Sequence, residues 1–271
     1  MVNVTINGLD VNVEQYNCEG EQILVLLHGF TGSTKTWQHV IEHLPVAVRV
    51  ITIDLIGHGM TAAPEQLEPY SVVAQVQLLE ELFAKLELER FTLLGYSMGG
   101  RVALSYAACY PQRIEQLILE SASPGLASLK ERATRKLTDE VLADNIIANG
   151  IVSFVEKWEN IPLFASQKSL PEDVKQEIRK ERLAQREIGL ANSLRGMGTG
   201  IMPALWHQLA ELSMPVLLIT GSLDFKFEQL AQKMVVQLKQ GSHISVNEVG
   251  HAIHVENPAQ FATIVKESLI Q

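Results

Sequence analysis

The sequence predicts an α/β protein, with a mostly parallel sheet flanked by helices and one inserted all-helical segment. Three observations predict it. Short, continuous apolar runs recur along the chain, as expected of strands buried on both faces. Longer amphipathic stretches separate them, so that strand and helix patterns alternate. The alternation breaks once, between about residues 121 and 205, where Arg, Lys and Glu-rich helical patterns are punctuated by Pro124-Gly125, Asn149-Gly150, Ile161-Pro162 and Gly196–Gly200.

The expected strands follow in order. Asn3–Ile6 and Val11–Gln15 form a hairpin with Gly8 at its turn. Ile23–Leu27, Val48–Ile53, Phe91–Leu94, Gln116–Leu119, Val216–Thr220 and His243–Val249 complete a set of eight. Helical patterns lie between them at Thr36–Leu44, Val72–Leu86, Gly100–Ala108, Phe227–Leu238 and Pro258–Leu269. The 271 residues suffice for one large domain with an insertion.

A net charge of −9 disfavours nucleic acid and anionic membrane as partners. The two cysteines, Cys18 and Cys109, form no CxxC motif and read as unpaired thiols of a reducing compartment. Met1–Ile6 lacks the basic and apolar regions of a secretory signal, and no apolar run matches a membrane span. A cytoplasmic location is expected.

The strongest motif is Gly95-Tyr96-Ser97-Met98-Gly99-Gly100, directly after the strand Phe91–Leu94 and directly before a helix. That context is what the G-x-S-x-G nucleophile elbow of the α/β-hydrolase fold requires. The expectation is therefore that fold, with residues 1–120 and 206–271 as the core and 121–205 as a helical cap. A serine needs a base, and the base an orienting acid, in the chain order Ser, Asp or Glu, His. Asp224 follows the strand Val216–Thr220 and is the expected acid; Glu120, after the preceding strand, is its rival. His251 follows the last strand in a Gly-His turn and is preferred over His243 and His254. The loop His28-Gly29-Phe30 and the residue after the serine would supply the oxyanion-hole N–H groups, those of Phe30 and Met98. His28 itself and Gly57-His58-Gly59 read as structural. No HExxH, ligand set or dinucleotide fingerprint occurs, so neither a metal nor a cofactor is expected.

Arg101 lies in the first turn of the nucleophile helix, where a cation opposes the helix dipole at a cost of roughly 0.3–1 kcal/mol. Such a cation calls for an anion, either a structural carboxylate or a carboxylate of the substrate beside Ser97. The inserted segment carries further cations: Lys130, Arg132, Arg135, Lys136, Arg179, Lys180, Arg182, Arg186 and Arg195. Cations on the lid of an acidic protein fit a polyanionic substrate.

At this point the chain resembles a known family, the 2-succinyl-6-hydroxy-2,4-cyclohexadiene-1-carboxylate synthases of menaquinone biosynthesis. The resemblance is carried by Gly95–Arg101, by Glu120-Ser121-Ala122-Ser123-Pro124-Gly125-Leu126, by Trp158-Glu159-Asn160-Ile161-Pro162-Leu163-Phe164 and by Gly189–Gly200. It covers essentially the whole chain, and the two cap motifs are the family-specific ones. Thr61 stands where a serine is common. The resemblance implies a lyase that eliminates pyruvate from 2-succinyl-5-enolpyruvyl-6-hydroxy-3-cyclohexene-1-carboxylate. It places the substrate arginines at Arg101, Arg135 and Arg182, with Arg132 and Arg186 as competitors of the last two by helical spacing. It makes Tyr96 and Trp158 substrate contacts. Ser97 would then be a general base activated by His251 and Asp224 rather than an acyl-forming nucleophile. The rival reading is a carboxylesterase or carbon–carbon bond hydrolase using Ser97 as nucleophile.

Overall fold

The computed structural model describes residues 2–269. Eight strands, β1 (Val2–Ile6), β2 (Leu9–Tyr16), β3 (Gln22–Leu27), β4 (Val48–Ile53), β5 (Phe91–Tyr96), β6 (Ile114–Glu120), β7 (Val216–Gly221) and β8 (Gly241–Val246), form one sheet. Their order is β1-β2-β4-β3-β5-β6-β7-β8. β2 pairs antiparallel with β1 and β4, and every other pairing is parallel. Asn7 and Gly8 both have positive φ, 51° and 80°, which matches the twist of a two-residue hairpin turn.

Helices α1 (Gln38–Ile41), α2 (Val72–Lys85) and α3 (Met98–Cys109) lie between β3 and β6 in the chain, and α3 packs on β5 and β6. Between β6 and β7 come α4 (Leu129–Trp158), a 3-10 segment over Pro162–Ser169, α5 (Glu172–Leu183) and α6 (Glu187–Met197). After β7 follow α7 (Phe225–Val235), α8 (Ile253–Glu256) and α9 (Pro258–Leu269). The pleat divides each central strand between two cores. Val25, Leu27, Phe91, Leu93, Leu117 and Leu119 face one, together with α2 and α3. Leu24, Leu26, Leu94, Tyr96, Ile118 and Ile219 face the other, against Trp37 and Phe261. Burial on both faces explains why these strands read as unbroken apolar runs.

Several expected boundaries move, three of them for a clear local reason. The helix expected at Thr36–Leu44 is a 3-10 turn over Thr34–Trp37, capped by the Ser33 hydroxyl, followed by the single turn α1. The helix expected from Phe227 starts at Phe225, because the Asp224 carboxylate caps it by accepting the Phe227 N–H at 3.3 Å. The last strand, expected to reach Val249, ends at Val246, and Glu248 at φ 61° turns the chain toward His251.

The helices between β6 and β7 have their own small core of Ala143, Ile146, Phe154, Val155, Leu190, Ala191 and Leu194, onto which Phe30 and Trp158 pack. α4 bends at Gly150, whose φ of 76° and ψ of 169° leave the helical region. α6 lies so close to the loop after β4 that a Cβ on Gly189 would stand 1.9 Å from the Gly57 carbonyl oxygen. That loop is built around Asp54, whose carboxylate accepts the Thr34 N–H at 2.5 Å, the Met60 N–H at 2.8 Å and the Asn12 amide at 2.8 Å. Gly57-His58-Gly59 is accordingly a structural turn, as expected.

His58 is fully buried in this turn; its Nδ1 faces the Ile56 carbonyl at 3.1 Å and its Nε2 has no partner. Burial, with His28 next in effect, pushes its pKa down to about 3. The folded state therefore holds His58 neutral while the unfolded chain protonates it near its ordinary value. The unfolded state binds the extra proton below pH 6.5, so stability falls as pH falls. His58→Leu removes this linkage. Chemical denaturation at pH 7 and pH 5 should show the wild type losing up to about 2 kcal/mol more than the variant across that interval; equal losses would refute the assignment.

Candidate active site

The site is assembled at the carboxyl edge of the central strands, where ligands bind in open α/β sheets. Ser97 occupies the sharp turn between β5 and α3 at φ 51° and ψ −103°. The surrounding glycines are there because the turn has no room for a Cβ. One on Gly95 would lie 2.4 Å from the Gly99 carbonyl oxygen, one on Gly99 2.3 Å from the Leu27 carbonyl oxygen, and one on Gly100 2.5 Å from Ala122 Cβ. The Ser97 N–H donates to the Glu120 carbonyl at 2.9 Å and so ties the elbow to the neighbouring strand.

Ser97, His251 and Asp224 form a continuous hydrogen-bonded chain. His251 Nε2 is 3.0 Å from Ser97 Oγ, and its Nδ1 is 2.6 Å from Asp224 Oδ2. His251 and Asp224 are both buried. With Nδ1–H on the carboxylate, Nε2 presents its lone pair to the serine, the tautomer a general base needs. The rival acid is spoken for elsewhere: the Glu120 carboxylate is 2.8 Å from His254 Nδ1 through both oxygens. The third candidate histidine, His243, pairs with the Thr220 hydroxyl at 2.7 Å within the sheet.

Above Ser97 lies a cavity of about 680 Å³, lined by Phe30, Tyr96, Met98, Arg101, Arg135, Trp158 and His251 among others. Its walls mix apolar and aromatic surface with a few charges, the composition of small-molecule sites. Met98 is the first residue of α3, so its N–H has no partner within the helix. Phe30 packs edge-on to Trp158 and Phe154, with ring centroids at 5.4 and 6.1 Å. His28 is structural, since its Nδ1 meets the Gly29 carbonyl and its Nε2 accepts the Leu55 N–H. The Trp158 Nε1 is buried and unpartnered. Burial holds the Tyr96 phenol well above its ordinary range, so it stays protonated.

The cations are placed unequally. Arg101 donates from Nη1 to the Met197 carbonyl at 2.9 Å. Burial, and secondarily Arg135, lowers its pKa to about 10, which leaves it charged at neutral pH. Arg135 also lines the cavity, paired at 2.7 Å with Asp139 one turn along α4. Its competitor Arg132 points elsewhere and bonds the Ile201 carbonyl at 3.2 Å. Arg182 is not brought to the cavity. It is buried behind Phe164, its guanidinium 4.6 Å from that ring and bonded to the Gln167 side chain. Arg186 is also absent from the lining and bonds the carbonyls of Gly59 and Thr61. Two cations missed in the sequence, Lys226 and Lys233, line the cavity from α7. Their signal was available: they stand seven residues apart, two turns of one helix face, just after the triad acid.

Known proteins match this chain along nearly its whole length. The family model of the alpha/beta hydrolase fold matches residues 22–258. A Bacillus subtilis protein assigned to the 2-succinyl-6-hydroxy-2,4-cyclohexadiene-1-carboxylate synthases is 46% identical over 269 residues, covering 99% of this chain and 98% of that protein. The synthase of that name from Salmonella paratyphi A is 33% identical, covering 89% of this chain and 90% of its own. Among solved structures, MenH from S. aureus superposes with a TM-score of 0.90 at 38% identity, covering 96% of this chain and 97% of that one. An esterase from Thermogutta terrifontis, 25% identical, superposes with a TM-score of 0.85 and covers 99% of this chain and 96% of its own. The same framework thus serves proteins of different named activities, and the side chains of the site must decide between them.

Gly99 gives a direct test of the elbow. Its missing Cβ would strike two backbone carbonyls, those of Leu27 at 2.3 Å and His28 at 2.4 Å, which cannot rotate away. Gly99→Ala should lower folding stability by about 2 kcal/mol or more in a thermal melt. An unchanged melt would mean that the turn is not sterically closed.

Proposed function

This chain belongs to the 2-succinyl-6-hydroxy-2,4-cyclohexadiene-1-carboxylate synthase family of the α/β-hydrolase fold, and we propose that Ser97, His251 and Asp224 serve it as a proton-abstracting triad. The enzyme is a lyase of menaquinone biosynthesis. It eliminates pyruvate from 2-succinyl-5-enolpyruvyl-6-hydroxy-3-cyclohexene-1-carboxylate. The observation that carries the catalytic reading is the hydrogen-bonded Ser97–His251 pair opening into a cavity that also holds Arg101 and Arg135.

The bond changes follow from the two ring systems. The substrate has its double bond at C3 and its leaving group at C5; the product is the 2,4-diene. The proton lost is therefore the one on C2, which is acidified by the adjacent succinyl ketone. His251 accepts the Ser97 hydroxyl proton as Ser97 Oγ takes the C2 proton. The C2–H electron pair becomes the C2–C3 double bond, the C3–C4 pair shifts to C4–C5, and the C5–O bond breaks. The departing enolpyruvate takes up a proton as its enol converts to the ketone, giving pyruvate. Negative charge gathers on the ketone oxygen during proton removal, and the N–H groups of Phe30 and Met98 would hold it there. No electrons leave the substrate–product pair, so the chemistry calls for no redox cofactor.

Arg101 and Arg135 bind substrate carboxylates, and Tyr96 and Trp158 shape the apolar wall. Lys226 and Lys233 present charge from α7, which counters the −9 field of the whole chain for an incoming polyanion. The helices from 121 to 205 act as the cap that keeps water from the reacting centre. Cys18 and Cys109 are both free thiols, in keeping with a cytoplasmic enzyme.

Pyruvate release from the enolpyruvyl substrate tests this reading. Ser97→Ala should lose at least about 10³-fold in kcat, the scale of removing an essential triad member. Arg101→Ala should lose about 10²-fold or more in kcat/KM, since it unpairs a buried substrate carboxylate. A wild type that hydrolyses simple p-nitrophenyl esters but releases no pyruvate above background would mark a carboxylesterase instead.

A further inference from the structure

Glu120 is the acid that the triad leaves unused, yet it touches both halves of it. It ends β6 directly beside Tyr96, and its side chain is fully buried. Its backbone carbonyl accepts the Ser97 N–H at 2.9 Å. Its carboxylate accepts the backbone N–H of His254 at 3.1 Å and meets His254 Nδ1 at 2.8 Å through each oxygen. His254 lies three residues beyond His251, joined to it through Ala252 and Ile253, both buried. The His254 ring is clasped between Trp37 and Tyr96, at centroid distances of 4.7 and 4.5 Å, and Tyr96 lies 5.4 Å from His251.

The flank of the histidine loop on the other side of His251 has a different anchor. Glu256 accepts the Gly250 N–H at 2.7 Å and the Ser166 hydroxyl at 3.0 Å. Glu256, however, sits in α8 with His254, on the same segment that it braces. Glu120 belongs to the sheet, the rigid part of the site.

We propose that Glu120 is a positioning residue that sets the Ser97–His251 separation: its carbonyl locates Ser97, and its carboxylate, through His254, locates the loop that carries His251. Ser97 and His251 are 154 residues apart in sequence, and this one residue gives them a common reference. A buried pair that served stability alone could be replaced without moving the serine against its base. A positioning residue cannot, because a displacement of about 1 Å at reacting groups costs up to about 10²-fold in rate.

Three variants test this: Glu120→Ala, His254→Phe and Glu120→Gln. The first readout is the rate at which phenylmethylsulfonyl fluoride labels Ser97, followed by intact mass. It requires the serine and its base but no substrate, so it reports on this geometry independently of the pyruvate chemistry. The second is kcat and KM for pyruvate release. Glu120→Ala and His254→Phe should each lower labelling and kcat by about 10- to 100-fold with KM within about 2-fold of wild type. Glu120→Gln should stay within about 3-fold of wild type, because its amide oxygen still accepts the His254 N–H groups. Should Glu120→Ala not fold, His254→Phe, which fills the same space without the donor, decides the question. Wild-type labelling and kcat in either folded variant, a loss confined to KM, or an equal loss in Glu120→Gln and Glu120→Ala would overturn the proposal.

Discussion

The left-handed backbone of Ser97 is the constraint from which the rest of the site follows. At φ 51° and ψ −103° the residue sits outside the regions that side chains prefer, a conformation worth about 1–3 kcal/mol of strain that the surroundings must over-determine. They do so in three ways. β5 and α3 are packed so tightly that Gly95, Gly99 and Gly100 have no space for a Cβ. The Ser97 N–H is taken by the Glu120 carbonyl of the adjacent strand. The aromatic ring of Tyr96 is buried against His251 and His254. The result is a hydroxyl held out from the sheet edge, next to the first free N–H groups of α3 and within hydrogen-bond reach of His251.

A second constraint is electrostatic. The chain is acidic overall, yet the cavity over Ser97 contains Arg101, Arg135, Lys226 and Lys233. Arg101 is the most confined of these, held by the Met197 carbonyl and depressed in pKa by burial. Arg135 is restrained by Asp139, whose other oxygen is buried without a partner. Arg135 adds to the depression of the Arg101 pKa and Asp139 offsets part of it, so a further anion beside the two guanidinium groups would be favourable. That arrangement suits a polycarboxylate.

Much of this was legible in the sequence because it is local. The elbow is six consecutive residues, and Asp224 and His251 each follow a strand, so the fold's chain order identifies them. The central strands were readable as apolar runs because both faces of the sheet are covered there. What was not legible depends on how helices turn and lean. Helical spacing alone could not say whether Arg132 or Arg135 faces inward; packing of α4 on α6 selects Arg135. No pattern announced that Phe164 would stand between Arg182 and the cavity. Glu120 and His254 were each visible as rivals for triad positions, but their pairing, across 134 residues, exists only in three dimensions. Lys226 and Lys233 were overlooked because exposed lysines on a helix are ordinary until the helix is known to border the site.

In the proposed reaction Ser97 removes a proton and forms no acyl-enzyme. Single-turnover elimination with substrate deuterated at C2, followed in parallel by intact mass of the enzyme, addresses it most directly. Proton removal by Ser97 gives a primary isotope effect on the rate of pyruvate formation, with the mass of the protein unchanged throughout turnover. An isotope effect of unity together with a transient covalent adduct on Ser97 would contradict it.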